Sequence, residues 1–164
     1  TVQKLSEEEW SHFSPPDIFP EIQRGKRLKN ADHIPGDVPY VSSTEANNGV
    51  DDYIVASPGT RSFSDCISLA NSGSVGTAFY EPFRYVASDH VTSLKRPCTS
   101  KFAYLFLAST IKKQGSNFNF NREINDARAK RMQILLPIDG SGLPNYSYME
   151  QYSSHVRRGH AHAI

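Results

Sequence analysis

The sequence predicts an α+β domain of the broad α/β class: a strongly bent mixed or antiparallel sheet, or partial barrel, with flanking helices and a C-terminal helix. Three observations lead there. Between Val38 and Leu94, short β-branched and aromatic runs alternate with clusters of Gly, Pro, Asn and Ser, as short strands joined by turns do. From Lys101 to Lys113 that punctuation vanishes, and Phe102, Leu105, Phe106, Ala108 and Ile111 recur at helical spacing. Ser147-Tyr148-Met149-Glu150 then has the Ser-x-x-Glu form of a helix start.

Taken in order, Ser6-Glu7-Glu8-Glu9 reads as a first capping box, opening a short helix that carries Trp10 and Phe13 until Pro15-Pro16 stops it. Asp17 to Gln23 reads as a strand. Pro35-Gly36 is a turn, Val38 to Ser42 a strand, and Asp52 to Ala56 another, ended by Pro58-Gly59. Cys66 to Ala70 pairs across the turn formers Asn71 to Gly76 with Thr77 to Tyr80. Phe83 to Ala87 and Val91 to Leu94 continue the strands. After the long helix, Phe118 to Asn121 alternates, Asp126 to Lys130 forms a brief helical turn, and Met132 to Leu136 is a strand terminated by Pro137. Asp139 to Gly142 is a loop, and the last helix runs from Ser147 through Arg158. No internal repeat or low-complexity tract is present.

With 164 residues, 38% of them hydrophobic, the chain is expected to form one domain with a substantial core. The formal charge is +1, so any nucleic-acid surface must come from local clustering. Two cysteines, no signal peptide and no long apolar segment point to the cytoplasm and away from a membrane. A start at Thr1 is expected of a piece cut from a longer chain.

Clustering is found between Ile22 and Val50. Arg24, Lys26, Arg27 and Lys29 surround Gly25, and the stretch closes on Ser42, Ser43, Thr44, Asn47 and Asn48 before Gly49. Cations hold phosphates, whereas amides and hydroxyls reach base edges. A solvated strand end followed by an Asn-Gly turn would show the same residues. A second mix of this kind, Lys112, Lys113, Asn117, Asn119, Arg122, Arg128, Lys130 and Arg131, surrounds the end of the long helix. There the ordinary reading is a helix C-terminus that favours cations, followed by an Asn-rich loop. Lys95 and Arg96 are weaker candidates for phosphate contacts.

Motifs for chemistry are sparse. Asp17, Glu21 and Gln23 are faintly similar to a nuclease carboxylate set, with Gln where Lys is wanted. The six histidines are scattered, and no four ligands have zinc spacing. Cys66 and Cys98 suit small buried hydrophobes better than nucleophiles. Gly73-Ser74-Val75-Gly76 lacks the lysine of a phosphate loop. No catalytic residue, metal or cofactor is expected. A nuclease or DNA methyltransferase fragment, or a protein-interaction module without a nucleic-acid role, are the alternative readings.

Three segments together resemble the target-recognition domain of restriction–modification specificity subunits of type I, and more nearly the branch fused to or partnered with type IIB and IIG enzymes. The first runs from Arg24-Gly25-Lys26-Arg27-Leu28 through Gly36-Asp37-Val38-Pro39-Tyr40-Val41 to Asn47-Asn48-Gly49-Val50. The second is Gly73-Ser74-Val75-Gly76 with Phe79-Tyr80 and Ser88-Asp89. The third is Leu136-Pro137-Ile138-Asp139, Gly142, Pro144, Tyr146 and Met149-Glu150-Gln151-Tyr152. The resemblance implies a non-catalytic domain that grips double-stranded DNA and reads part of a split target. Methyltransferase and restriction subunits, or fused domains, would do the chemistry. It further implies a recognition domain over 1–146 and the start of a spacer or dimerisation helix over 147–164. The apolar stripe Tyr148, Met149, Tyr152 and Val156 would either fold back on its own domain or support weak self-association.

Overall fold

The computed structural model describes residues 1–73, 75–115 and 124–162, with side chains of the last helix described as far as Gly159. The expected alternating stretch Phe118 to Asn121 lies outside these residues, as do Ser74, Asn117, Asn119 and Arg122.

Among the described residues, ten strands form three sheets. The first four-stranded sheet is antiparallel throughout, in the order β2 (Glu21–Arg24), β9 (Val91–Lys95), β6 (Cys66–Ala70), β7 (Ala78–Glu81). The second is mixed, in the order β4 (Val50–Ile54), β3 (Pro35–Val41), β8 (Tyr85–Ala87), β5 (Ser62–Phe63), with β3 and β8 parallel. β1 (Trp10–Phe13) and β10 (Ile134–Pro137) make a small antiparallel pair. The helices are α1 (Pro15–Ile18), α2 (Lys101–Gln114), α3 (Asp126–Ala129) and α4 (Tyr146–His162). Two bent sheets that do not close into a barrel, with flanking helices and a C-terminal helix, match the fold class read from the sequence.

Period-two alternation gives the first sheet two different faces. Ile22, Ile67, Leu69, Ala78 and Leu94 point to the main core, which α2 covers with Tyr104, Leu107, Ala108 and Ile111. The opposite face carries Cys66, Ser68, Glu81, Val91 and Ser93, all buried. There Cys66 and Val91 pack with Val41, Tyr85 and Ala87 of the mixed sheet. Polar groups in this layer pair with one another: the Tyr85 hydroxyl lies 3.2 Å from Cys66 Sγ and 2.6 Å from Ser93 Oγ. Burial pushes both the Tyr85 phenol and the Cys66 thiol up from their ordinary values.

α2 begins where Ser100 Oγ accepts from the Ala103 amide at 3.2 Å. Its outer side meets α4. Tyr148 and Met149 are buried, and Tyr152 sets its ring edge to Phe106 at 5.8 Å. The start of the stripe thus folds back on its own domain, while Val156 is 37% exposed.

The N-terminus corrects the sequence reading. Trp10 to Phe13 is a strand, and the turn before it is a 3-10 turn over Leu5–Glu7, with the Lys4 amide donating to Glu7 Oε2. Pro15 and Pro16 open α1 instead of stopping a helix, because proline suits the first helical turn. Asp17, expected in a strand, accepts from both the amide and the hydroxyl of Ser14. Pairing with β10 overrides the local helix signal around Trp10, a long-range contact that no local window reports. Two smaller corrections follow the same logic. Pro35 and Gly36, read as a turn, lie within β3, at a register shift opposite Ile54. The last helix is capped by Asn145, whose Oδ1 accepts from the Tyr148 amide at 3.1 Å, and not by Ser147.

Candidate functional site

The strand pairings bring separate loops to one end of the molecule. Arg24 at the end of β2 pairs with Thr92, and Ala70 at the end of β6 pairs with Val91. Val41 at the end of β3 pairs with Ala87 at the end of β8, and the Ser88 amide donates to the Val41 carbonyl. The segments leaving these strands, Gly25 to Lys29, Ser42 to Gly49, Asn71 to Gly73 and Ser88 to His90, therefore emerge together. The C-terminus of α2 joins them, because a Cβ added to Gly76 would sit 3.1 Å from the Gly115 Cα.

The Ser42–Gly49 loop is closely determined. The Ser42 amide donates to the Gly49 carbonyl at 3.0 Å, and the Ala46 amide to Thr44 Oγ1 at 3.2 Å. Asn47 and Asn48 stand in left-handed conformations at φ 51 and 58, which Asn tolerates better than most residues. Asn48 Nδ2 points inward, donating to the Tyr80 carbonyl at 3.1 Å and Glu81 Oε2 at 3.2 Å. Asn47 is exposed, and its side chain has no hydrogen-bond partner among the described residues. Ser43 packs against the neighbouring turn, where a Cβ on Gly73 would come within 2.5 Å of its Oγ. Glu81 is fully buried, accepts from Ser68 Oγ at 3.1 Å, and has its carboxyl pushed up to about 7 by burial, with the Ser68 and Asn48 bonds pulling the other way.

The cations fall into two groups. Lys26, Arg27 and Lys29 are exposed beside Arg24, whose Nε lies 3.8 Å from Asp126 Oδ1. Lys130 shares a polar cavity of about 250 Å³ with Arg24, Arg61 and Asp126, so the region around α3 joins the first cluster. Sequence reasoning missed Arg61, which donates from Nη1 to the Arg24 carbonyl at 2.8 Å; it sits in an irregular loop with no spacing to mark it. Lys112 and Lys113 diverge. Lys112 Nζ lies 5.0 Å from the Phe79 ring, next to Gly49, whereas Lys113 lines the groove between α2 and α4. Arg96 sits elsewhere, over the Tyr146 ring at 3.7 Å, and Lys95 Nζ donates to the Ser64 carbonyl.

The carboxylates that are faintly nuclease-like do not come together. Asp17 caps Ser14, while Glu21 and Gln23 line a cavity of about 400 Å³ with Arg84, Ser93 and Lys95, which Asp17 does not reach. No group of three or more His, Cys, Asp or Glu side chains suited to a metal ion occurs among the described residues. No helix among them is long and apolar enough to cross a membrane.

Solved specificity subunits of restriction-modification systems share this fold, and the sequence agrees. The model of the type I restriction modification DNA specificity domain matches residues 7–157, and the chain belongs to that family. It is 33% identical over 153 residues to the specificity subunit S.BcgI of a type II restriction enzyme from Heyndrickxia coagulans, covering 92% of this chain and 44% of that protein. Its fold is similar to the S subunit of a type I restriction-modification system from M. genitalium, with a TM-score of 0.64 at 18% identity over 92% of this chain and 38% of that one. The HsdS subunit from Thermoanaerobacter tengcongensis gives a TM-score of 0.65 at 10% identity, over 97% and 40% of the two chains. The chain thus spans less than half the length of these relatives.

Glu81 gives this site a pH signature. Its folded-state value of about 7 lies above the ordinary 4.5, so the folded protein holds a proton that the unfolded chain releases first. Stability from this group is present below about 4.5 and is lost as pH rises through about 7. In urea titrations, Glu81→Gln is expected to gain on the wild type by up to about 3 kcal/mol as pH rises from 4.5 to 8.

Proposed function

We propose that this chain is a non-catalytic domain that recognises a sequence in double-stranded DNA, and directs methyltransferase and restriction subunits, or domains fused to it, to that target. The observation that carries the reading is the convergence of exposed Lys26, Arg27 and Lys29 with the amide and hydroxyl loop Ser42–Gly49 at one end of both sheets. Family membership supports it, and so do the specificity subunits among the relatives.

In this reading Arg24, Lys26, Arg27, Lys29 and Lys112 hold phosphates, while Ser42, Ser43, Thr44, Asn47 and Asn48 approach base edges; Lys113, on the α2–α4 groove, lies off this surface. Asn117, Asn119 and Arg122, outside the described residues, are proposed as DNA contacts on their sequence character alone. Asn47 offers its whole amide; Asn48, with its Nδ2 committed inward, offers only its carbonyl oxygen. The small total charge fits a local interface, since +1 over the chain would not itself draw it to DNA.

Salt-titrated duplex binding tests the cations. Each phosphate contact contributes roughly 0.9 to the log–log slope, so Lys26→Ala with Arg27→Ala is expected to flatten it by about 1.8, equally on all sequences. An unchanged slope takes this cluster out of the interface. Asn47→Ala is expected to cost about 1–3 kcal/mol on the target duplex and little on random DNA; equal losses on both would show that Asn47 reads no base.

The end of α4 is proposed to begin a spacer helix, through which copies of the domain associate weakly. Val156 and Leu105 are exposed on an apolar groove of about 570 Å³ that also includes Trp10 and Tyr152. Sedimentation velocity should show concentration-dependent association that Val156→Asp abolishes. A wild type that stays monomeric at high concentration removes the self-association.

A further inference from the structure

Glu81 is the only fully buried carboxylate among the described residues, and none of the ion pairs found among them involves it. An apolar side chain of similar size would avoid the desolvation that a carboxylate suffers there. Among the described residues, the buried titratable groups that share its layer are Cys66 on β6 and Tyr85 on β8; these bond to one another and to Ser93, and neither donates to Glu81. Among the described residues, its hydrogen-bond donors are the Ser68 hydroxyl and the Asn48 amide. Asn48 belongs to a different sheet connection and stands, with Asn47, in a left-handed conformation that needs support from its surroundings. The carboxylate is therefore the point at which the inside of the sheet pair holds the loop outside it.

We propose that Glu81 is a positioning residue for the Ser42–Gly49 loop: through Asn48 it sets the direction in which Asn47 and the Ser42–Thr44 hydroxyls are presented, and what this requires at position 81 is a hydrogen-bond acceptor. That the loop faces DNA rests on the function proposed above; that Glu81 holds the loop does not. When ionised, the carboxylate accepts from both donors. When protonated, its carbonyl oxygen still accepts from Asn48 while its hydroxyl donates to Ser68 Oγ, so the loop keeps its anchor in either state. A glutamine reproduces the protonated arrangement, its amide oxygen facing Asn48 and its NH2 facing Ser68 Oγ. A leucine fills the space and leaves Asn48 only the Tyr80 carbonyl.

The experiment compares the intact chain with Glu81→Gln, Glu81→Leu and Asn48→Gly, the last keeping a residue at ease with positive φ while removing the tether. Hydrogen exchange of the Ser42, Ala46 and Val50 amides reads the loop without DNA, and selection from a random duplex library, followed by binding to the selected and random sequences, reads discrimination. Glu81→Leu and Asn48→Gly are expected to exchange about tenfold faster in the loop, with β6 and β9 amides no faster than in the wild type, and to lose about tenfold in preference for the selected sequence. Glu81→Gln should match the wild type on both counts between pH 6 and 8. Wild-type loop exchange and preference in Glu81→Leu would overturn the positioning role. A Glu81→Gln protein that behaves like Glu81→Leu would overturn the acceptor requirement. If Glu81→Leu does not fold, Asn48→Gly decides in the same way. A wild type that selects no duplex would instead overturn the DNA reading of the loop, and loop exchange would still decide whether Glu81 holds it.

Discussion

The joint between the two four-stranded sheets is the contact on which the rest of the molecule depends. At Gly25 the chain leaves one sheet for the other. Its amide donates to the Val91 carbonyl in the first sheet, and the next amide, of Lys26, donates to the Ala87 carbonyl at the end of β8 in the second. The approach is so close that a Cβ on Gly25 would lie 2.2 Å from the Ser88 carbonyl oxygen. Only glycine allows it, and no side-chain movement could relieve a clash with backbone. This joint fixes where Lys26, Arg27 and Lys29 leave the sheets relative to the Ser88 turn and the Ser42–Gly49 loop.

Behind the joint, the layer between the sheets is unusual in being both buried and polar. Glu81, Ser68, Tyr85, Ser93 and Cys66 all lie there, in pairs or threes whose hydrogen bonds close among themselves. Such a layer is tolerable only because its members find partners, and the partners set how one sheet is placed on the other. Asn48 is the member contributed from outside. It ties an exposed turn to the buried layer between the sheets, so a loop rich in short polar side chains is held by the scaffold.

The α2–α4 side of the molecule is built on the opposite basis. Phe106 meets Trp10, Tyr148 and Tyr152 in a cluster of rings, and burial of large apolar surface holds the helices together. Tyr148 also donates to the Gln3 carbonyl at 2.8 Å, tying the last helix to the N-terminus. The strand layers present a polar end, and the helices extend the domain along an apolar flank.

Local chemistry alone determined much of this protein. Lys101–Gln114 is a helix because its apolar positions repeat at helical spacing behind a serine cap, and Cys66–Ala70 pairs with Ala78–Glu81 because turn formers separate two β-prone runs. The basic and amide-rich character of Arg24 to Asn48 was legible for the same reason: composition is local. The tertiary structure decided what depends on residues far apart in the chain. Trp10 to Phe13 became a strand because β10, more than 120 residues later, supplies its partner. Arg61 joined the first basic cluster through the Arg24 carbonyl, and Lys113 turned towards α4 while Lys112 turned towards Phe79. Glu81 follows directly on the run Thr77 to Tyr80 read as a strand, and only the packing of the two sheets buries it. Asn47 and Asn48 were indistinguishable as neighbours in a turn, and only the buried acceptor beneath Asn48 gave them different work: a hydrogen bond across 33 positions has no trace in the spacing of either residue.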